Sequence, residues 1–236
     1  MAEQVIEIDV KKLFESGAHF GHRTSRWNPK MNKYIHSKRK GIHIIDLEKT
    51  ADCLKLALDY IYDISSQGKQ ILLVGTKPQS REIIQEVAQK TGMPYISKRW
   101  LGGTLTNWNT ISLQIKKLKE LESNMLAGVY NDKFNKLEIQ RIQEKIERLN
   151  DIYSGIKNMN NIPSAVFVVD AVIDHICISE ANKLNIPIVA IVDSNADPTK
   201  ISYPIPANDD STKTIRLILE YLEKTIIAAK SKVTKD

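Results

Sequence analysis

The chain has 236 residues, of which 42% are apolar and 26% are charged, a composition typical of a globular protein with one or two domains. No apolar run approaches the ~20 residues of a membrane-spanning helix, and the acidic, amphipathic start is unlike a signal or transit peptide. Cys53 and Cys177 stand alone and far apart, which fits neither a metal-ligand spacing nor a disulfide framework. We expect both to be buried in a protein of a reducing compartment.

The positive charge of the chain is concentrated in one segment. Residues 19–43 contain seven Lys or Arg, four of the five histidines and no carboxylate. This segment carries +7 of a net charge of +6, which leaves −1 for the remainder. A single cationic segment on a near-neutral protein indicates an anionic partner.

The amino-terminal elements frame this basic segment. Residues 5–17 predict an amphipathic helix that ends at Gly17. Trp27-Asn28-Pro29 predicts a loop, because the residue before a proline is pushed away from helical conformation. Residues 42–50 predict a short strand leading into a helix from about residue 48 to 65.

The rest of the chain alternates strands and helices. Apolar runs at 71–76, 93–97, 164–170 and 187–193 predict strands, with a further short strand at Tyr-Pro-Ile-Pro. Amphipathic helices separate them, and the last runs from about residue 212 to 229. Continuous apolar strands joined by helices predict a three-layer, doubly wound parallel sheet.

A segment with a different periodicity interrupts this alternation at about residues 106–156. Apolar residues there recur at alternating steps of three and four, on two stretches separated by a turn that contains Gly128. This pattern predicts an antiparallel coiled-coil hairpin with arms of about 30 Å. We therefore expect an α/β domain formed by residues 1–105 and 157–236, which includes the basic loop at 19–43, and a hairpin insertion at 106–156.

Enzyme chemistry receives little support. The turn after the first core strand, Gly75-Thr-Lys-Pro-Gln-Ser80, matches neither the phosphate-binding P-loop nor the dinucleotide-binding glycine pattern. Carboxylates collect at the predicted strand ends, and helix capping and turn formation explain most of them, in particular Asp209 and Asp210 before the last helix and Asp197 before a proline. The alternative is a Rossmann-like nucleotide- or metal-dependent enzyme that uses strand-end carboxylates.

Two histidines suggest half of a metal site. His19 and His22 are three residues apart, but no Cys pair or second His pair follows at zinc-finger spacing. One histidine could instead meet strand-end aspartates. The candidate ligands for such a structural metal are His19, Asp193 and Asp209; otherwise no cofactor is expected.

RNA binding fits the basic segment better. Its cations alternate with aromatic and amide side chains, which together supply phosphate contacts, stacking and hydrogen bonds. Lys98-Arg99-Trp100, followed by a Gly-Gly turn, repeats this combination. Trp108 is expected in the core, whereas the sequence leaves the role of Trp100 open.

Six ordered blocks between about residues 10 and 222 carry a family resemblance. They are HFGHRTSRWNPKM, ILLVGTK, RWLGGTLTNW, VFVVD, EANKLNIPIVAIVDSNADP and IPANDDSTKTIRLI. In order and spacing they resemble the bacterial-type small-subunit ribosomal protein S2 family. The resemblance implies a flavodoxin-like sheet with an inserted coiled-coil hairpin. It also implies a non-catalytic constituent of the small ribosomal subunit that binds ribosomal RNA and supports subunit assembly and translation.

The resemblance also implies partners and contact residues. Expected partners are small-subunit ribosomal RNA and neighbouring ribosomal proteins, including the large protein that captures messenger RNA, with no membrane association and no homo-oligomer. The expected location is the bacterial cytoplasm, with an organellar ribosome as the alternative. The residues that match the motifs and are expected to face RNA are Arg23, Arg26, Trp27, Asn28, Lys30, Lys33, Lys38, Arg39, Lys40 and Arg99.

Overall fold

The computed structural model describes residues 7–130 and 134–233. The helices are α1 (Val10–Ser16), α2 (Leu47–Ser66), α3 (Arg81–Thr91), α4 (Trp108–Leu126), α5 (Lys136–Tyr153), α6 (His175–Lys183) and α7 (Thr212–Val233). The strands are β1 (Phe20–Arg23), β2 (Ile35–Arg39), β3 (Ile42–Ile45), β4 (Ile71–Val74), β5 (Tyr95–Ile96), β6 (Ala165–Val168), β7 (Ile188–Val192) and β8 (Tyr203–Pro206). The predicted domain limits at residues 1 and 236 lie outside the described residues.

Five strands form a parallel sheet in the order β5-β4-β6-β7-β8. This is the strand order of flavodoxin-like doubly wound sheets. Alternate residues of each strand face opposite sides, so that Ile71 and Leu73 join one apolar cluster, and Leu72 and Val74 join the other. Helices α1, α2, α3 and α7 cover the first side, while α6 and the base of α4 and α5 cover the second. The predicted α/β fold with a parallel sheet is confirmed.

The basic segment is a small sheet, and the prediction of a loop at 19–43 is wrong in this respect. Strands β1, β3 and β2 pair antiparallel in that order, separate from the parallel sheet. A two-residue turn joins β2 to β3, with positive φ at both Lys40 (48°) and Gly41 (77°). Such turns match the twist of paired strands. The sequence contains no sign of β2 because Ile35 is the one apolar residue among its five, so that no apolar alternation marks it.

Helices α4 and α5 interrupt the parallel sheet where the sequence predicts helices. Their base is part of the core, since Ile111, Ile115 and Leu118 of α4 are buried in the same cluster as Val166 of β6. Residues 131–133, within the segment that joins the two helices, lie outside the described residues. No helix within 7–130 or 134–233 combines the length and apolarity that crossing a bilayer would need.

Gly155, directly after α5, fixes how closely the helical insertion approaches the sheet. A Cβ atom at this position would lie 2.2 Å from the carbonyl oxygen of Tyr95 in β5. Because the obstructing atom belongs to the backbone of a strand, it cannot turn aside. The absence of a side chain at Gly155 is therefore a packing requirement.

We expect Gly155→Ala to destabilise the protein by about 1–3 kcal/mol, the usual range for overpacking a close contact. Urea unfolding followed by circular dichroism measures the change. The control is Gly102→Ala, because nothing lies within 4 Å of a Cβ atom there and its φ is not in the left-handed region. Equal stability of the two variants would contradict the close-contact explanation.

Candidate functional site

Ser194 attaches the small basic sheet to the carboxyl end of β7. Its hydroxyl oxygen accepts a hydrogen bond from the backbone N–H of His22 (2.7 Å), and its carbonyl accepts one from Asn28 (2.8 Å). Gly21 makes this approach possible, since a Cβ atom there would lie 2.7 Å from the Ser194 hydroxyl oxygen. The basic sheet is thus held at the edge of the parallel sheet where the strands end.

Six cations of the basic sheet and its turns are exposed, and none forms an ion pair within the part of the chain that the structure describes. We call these residues the basic surface: Arg23, Arg26, Lys33, Lys38, Arg39 and Lys40. Strands, a tight turn and, for Arg26 and Lys33, short 3-10 helices fix the backbone at these positions. The arrangement presents positive charge that the protein itself leaves uncompensated.

Three other predicted contact residues have partners inside the protein. The ammonium group of Lys30 pairs with Asp197 (2.7 Å), and the side-chain oxygen of Asn28 accepts a hydrogen bond from the Lys30 backbone N–H (3.0 Å). Trp27 stacks on His43 with ring centroids 4.9 Å apart, and the Lys38 ammonium lies 5.3 Å from the Trp27 ring. These contacts hold the basic surface in shape.

The Lys30–Asp197 ion pair affects the pKa of the Asp197 carboxyl group. Burial alone would raise the pKa of Asp197, but hydrogen bonds from Lys30 and Thr199 outweigh it and lower the pKa to about 2. Asp197 also accepts the backbone N–H of Thr199, which confirms its predicted role in the turn before Pro198. The turn between β7 and β8 is therefore tied to the basic segment through Lys30.

Glu180 of α6 organises the second predicted RNA-facing segment. Its carboxylate accepts hydrogen bonds from the Trp100 indole N–H (3.0 Å) and the Gly103 backbone N–H (2.7 Å), as well as from Leu105 and Thr106. Trp100 is 7% exposed, so its role is structural, as that of Trp108 is. Arg99 remains exposed beside it and forms no ion pair within the described residues.

Sequence reasoning did not select Glu180. The available signal was an acidic residue on the helix face whose other members, Cys177, Ile178 and Ala181, are buried. Burial alone would raise the pKa of Glu180, but hydrogen bonds from Trp100, Thr106, Gly103 and Leu105 outweigh it and lower the pKa. The charged form of Glu180 is therefore the form that holds this loop.

A mixed histidine and carboxylate group lies where the two sheets meet. His22 Nδ1 lies 3.0 Å from Asp193 Oδ2, and His22 Nε2 lies 3.6 Å from Asp210 Oδ2. One ligand atom from each of His22, Asp193, Asp209 and Asp210 falls within 4.8 Å of the others. The structure thus brings Asp193 and Asp209 together with His22, whereas His19 stacks on Phe14 with ring centroids 4.5 Å apart.

The side chain of Lys77, a residue that follows β4, reaches the same group of carboxylates. Its buried ammonium group lies 3.1 Å from Asp170, 2.7 Å from Asp209 and 2.6 Å from Asp210. Burial and the neighbouring Asp170 and Asp193 carboxylates raise the pKa of Asp209 to about 7. The carboxylates of Asp209 and Asp210 therefore face Lys77 and His22 rather than the first turn of α7.

This placement corrects the predicted capping role of Asp209 and Asp210. The side chain of Ser211 caps the helix, since Ser211 Oγ accepts the Thr214 N–H (3.3 Å), and Asn208 Oδ1 accepts the Asp210 N–H (2.9 Å) in the turn before it. Asn and Ser compete well with Asp at such positions, so the sequence offered several equivalent caps. Asp209 and Asp210 are therefore not needed as caps, and they contact Lys77 instead.

Comparison with known proteins gives the family. The family model described as ribosomal protein S2 matches residues 13–229. The chain belongs to the ribosomal protein S2 family. Small ribosomal subunit protein uS2 of Coprothermobacter proteolyticus, a relative in this family, is 46% identical over 220 residues, which cover 93% of this chain and 82% of that protein. The resemblance carried by the sequence blocks is confirmed, and neither comparison supports the enzyme alternative.

The Glu180 anchor gives a prediction for this S2-family chain. Glu180→Gln replaces one acceptor oxygen with an amide NH₂ that faces backbone donors, so several buried N–H groups lose a charged acceptor. We expect a loss of about 2–3 kcal/mol in the free energy of unfolding. The same change at exposed Glu147 is the control.

The pH dependence has a definite sign. Because the folded pKa of Glu180 is lowered, its contribution is complete above the unfolded pKa and is lost as the pH falls through the folded pKa. The stability difference between the parent protein and Glu180→Gln, measured by urea unfolding, should therefore shrink on acidification from neutral pH. A difference that stays constant or grows on acidification would contradict this role.

Proposed function

We propose that this chain is a structural constituent of the small ribosomal subunit, in which it binds small-subunit ribosomal RNA and supports assembly and translation. The name of the C. proteolyticus relative supports the ribosomal role. The observation that carries RNA binding is the basic surface, whose six exposed cations have no acidic partner within the described residues. A phosphate backbone supplies the charges that would neutralise them.

The basic surface suits a folded, shape-presenting RNA. Its cations lie on paired strands, a tight turn and short 3-10 helices, so little backbone entropy is lost when RNA binds. Lys30, Trp27 and Asn28 belong to the proposed interface as residues that fix this geometry, with part of the Trp27 ring open beside Lys38. Arg99, presented by the loop that Glu180 holds, is a separate proposed contact.

The helical insertion is proposed to be the predicted antiparallel coiled-coil hairpin at 106–156, attached to a globular domain formed by 1–105 and 157–236. Contacts between the arms support this pairing: Glu122 of α4 accepts hydrogen bonds from Asn150 of α5 (2.6 Å) and from Lys157 just beyond it (2.6 Å). Ile146 and Leu149 of α5 pack against the cluster that contains Leu118 of α4.

The proposed partners beyond RNA are neighbouring small-subunit proteins, including the large protein that captures messenger RNA. The bacterial source of the relative favours a bacterial cytoplasmic ribosome over an organellar one. In this role the chain contributes a rigid surface and no chemical step.

The group of His22, Asp193, Asp209 and Asp210 is proposed to hold a structural divalent cation. Asp193 Oδ2, Asp209 Oδ2 and His22 Nδ1 are buried without hydrogen-bond geometry to any partner in the described chain. An imidazole nitrogen with carboxylate oxygens is a ligand set that Zn²⁺ accepts. A cation there would join β1 to the ends of β7 and β8, with His22 in the place predicted for His19.

Charge removal tests the RNA interface. We expect the triple substitution Arg23→Ala, Arg26→Ala and Arg39→Ala to leave the fold intact and to weaken incorporation into small subunits, because three phosphate contacts are lost. The slope of log K against log salt, measured with purified small-subunit RNA, should become shallower by about 2–3. Sucrose gradients at low and high salt follow incorporation in lysates.

The control for this triple variant removes the same charge elsewhere. Lys11, Lys12 and Lys69 are exposed and lie outside the basic surface, so their replacement by Ala should leave both the gradient profile and the salt slope unchanged. If both triple variants weaken incorporation equally, net charge and not the basic surface drives binding. That result would overturn the proposed interface.

Zinc titration tests the cation site. We expect one Zn²⁺ per chain by calorimetry, lost in His22→Ala and in Asp193→Asn, and retained in His19→Ala and in His36→Ala. At a free Zn²⁺ concentration 100 times Kd, the folded state should gain about 2.7 kcal/mol. Binding that survives His22→Ala but not His19→Ala would restore the ligand set expected from the sequence.

A further inference from the structure

A cavity lies at the carboxyl ends of β4 and β6 and is lined by Lys77, which also contacts Asp209 and Asp210 of the His22 group. From β4 the chain crosses to β5 on one side, and the next strand, β6, pairs on the other side of β4. Adjacent strands with connections running in opposite directions form the point at which open α/β sheets bind ligands. Such a position by itself indicates only where a ligand would enter, so the lining residues decide the chemistry.

The cavity measures about 360 Å³, which is within the range of small-molecule sites. Arg81, Lys98 and Arg99 line it and supply positive charge. The Nε of Arg81 donates to the Thr76 carbonyl oxygen (2.8 Å), which orients the guanidinium group. Lys98 pairs with the exposed Asp151, so Arg81 and Arg99 are the lining cations that form no ion pair within the described residues.

The acidic groups near the cavity are already engaged. Asp174 lines it and is 3% exposed, and both of its oxygens accept hydrogen bonds from Thr76. Lys77 also lines the cavity, but its ammonium group is engaged by Asp170, Asp209 and Asp210, none of which lines it. An anion that enters therefore meets two arginines whose charge the lining does not cancel.

The remaining wall is apolar and open. Ile173 and Ile176 are 49% and 45% exposed, and they line the cavity together with Pro78. Trp100 closes the wall, with its indole N–H committed to Glu180. Exposed aliphatic side chains beside two free guanidinium groups match a ligand with a flat apolar part joined to an anionic part.

We propose that this cavity binds one nucleotide unit, with its phosphate on Arg81 and Arg99 and its base against Ile173 and Ile176. The planar guanidinium donors suit phosphate oxygens, which they can bind in a bidentate manner. An acidic peptide would meet the arginines but leave the apolar wall exposed. The unit is carried either by an unstacked position in single-stranded RNA or by a free mononucleotide. The site does not include the basic surface, but it contains Arg99, so its RNA form rests on the RNA binding proposed above.

Calorimetry and amide chemical-shift mapping on the full chain test this site. The probes are adenosine 5′-monophosphate, adenosine, inorganic phosphate, a single-stranded adenosine hexanucleotide and a glutamate hexapeptide. We expect the mononucleotide, the hexanucleotide or both to bind at this cavity, and Arg99→Ala to weaken that binding about tenfold through loss of a charged hydrogen bond. Ile176→Ser should weaken nucleotide binding and leave the weaker binding of phosphate unchanged.

Arg141→Ala is the matched control, since Arg141 is exposed on α5 and does not line the cavity. Binding of the hexanucleotide alone assigns the site to RNA, and binding of the mononucleotide alone assigns it to a free nucleotide; either supports the proposal. The proposal is overturned if phosphate or the glutamate peptide binds as tightly as the nucleotide, if Arg141→Ala weakens binding as much as Arg99→Ala, or if no probe shifts residues of the cavity. None of these results bears on the salt-dependent incorporation that tests the basic surface.

Discussion

The buried ammonium group of Lys77 is the interaction on which the carboxyl edge of the sheet depends. It joins the segment after β4 to the end of β6 through Asp170 and to the segment before α7 through Asp209 and Asp210. Removing one partner of a buried ion pair leaves an uncompensated charge in a poorly hydrated place, which is strongly unfavourable. The His22 group shares Asp209 and Asp210 with this lysine, and the proposed nucleotide site is lined by it, so both rely on loops that Lys77 holds in position.

The basic surface shows how a rigid scaffold can present charge. Repulsion among six like charges opposes the compact state, and contacts between uncharged groups offset it. Ser194 accepts hydrogen bonds from the backbone N–H groups of His22 and Asn28, and Trp27 packs on His43. These contacts are independent of RNA. A surface that is already ordered loses less conformational freedom on binding than a disordered arm would.

The sequence predicted the parts of the fold that follow from periodicity, and it failed where long-range partners decide. Apolar runs such as residues 71–74 and 188–192 identified core strands because burial on both faces demands continuous apolar residues. Strand β2 was missed because Lys38 and Arg39 suit an anionic partner and not a hydrophobic core, so the strand lacks the apolar residues that would have marked it. His22 was not separated from His19, since both belong to the same short stretch, His-Phe-Gly-His, and only tertiary contact places one of them beside Asp193.

In the turn between β2 and β3, the backbone conformation at position 40 favours Gly, Asn or Asp, whereas the basic surface requires a cation there. Lys40 adopts a left-handed backbone conformation (φ 48°), which is unfavourable by roughly 1–2 kcal/mol for a residue with a Cβ atom and which Asn, Asp or Gly would adopt more easily. The hairpin therefore tolerates local frustration at its tip. Variants selected only for thermal stability would drift toward Asn or Gly at this position, and they would lose a cation of the basic surface as they gained stability.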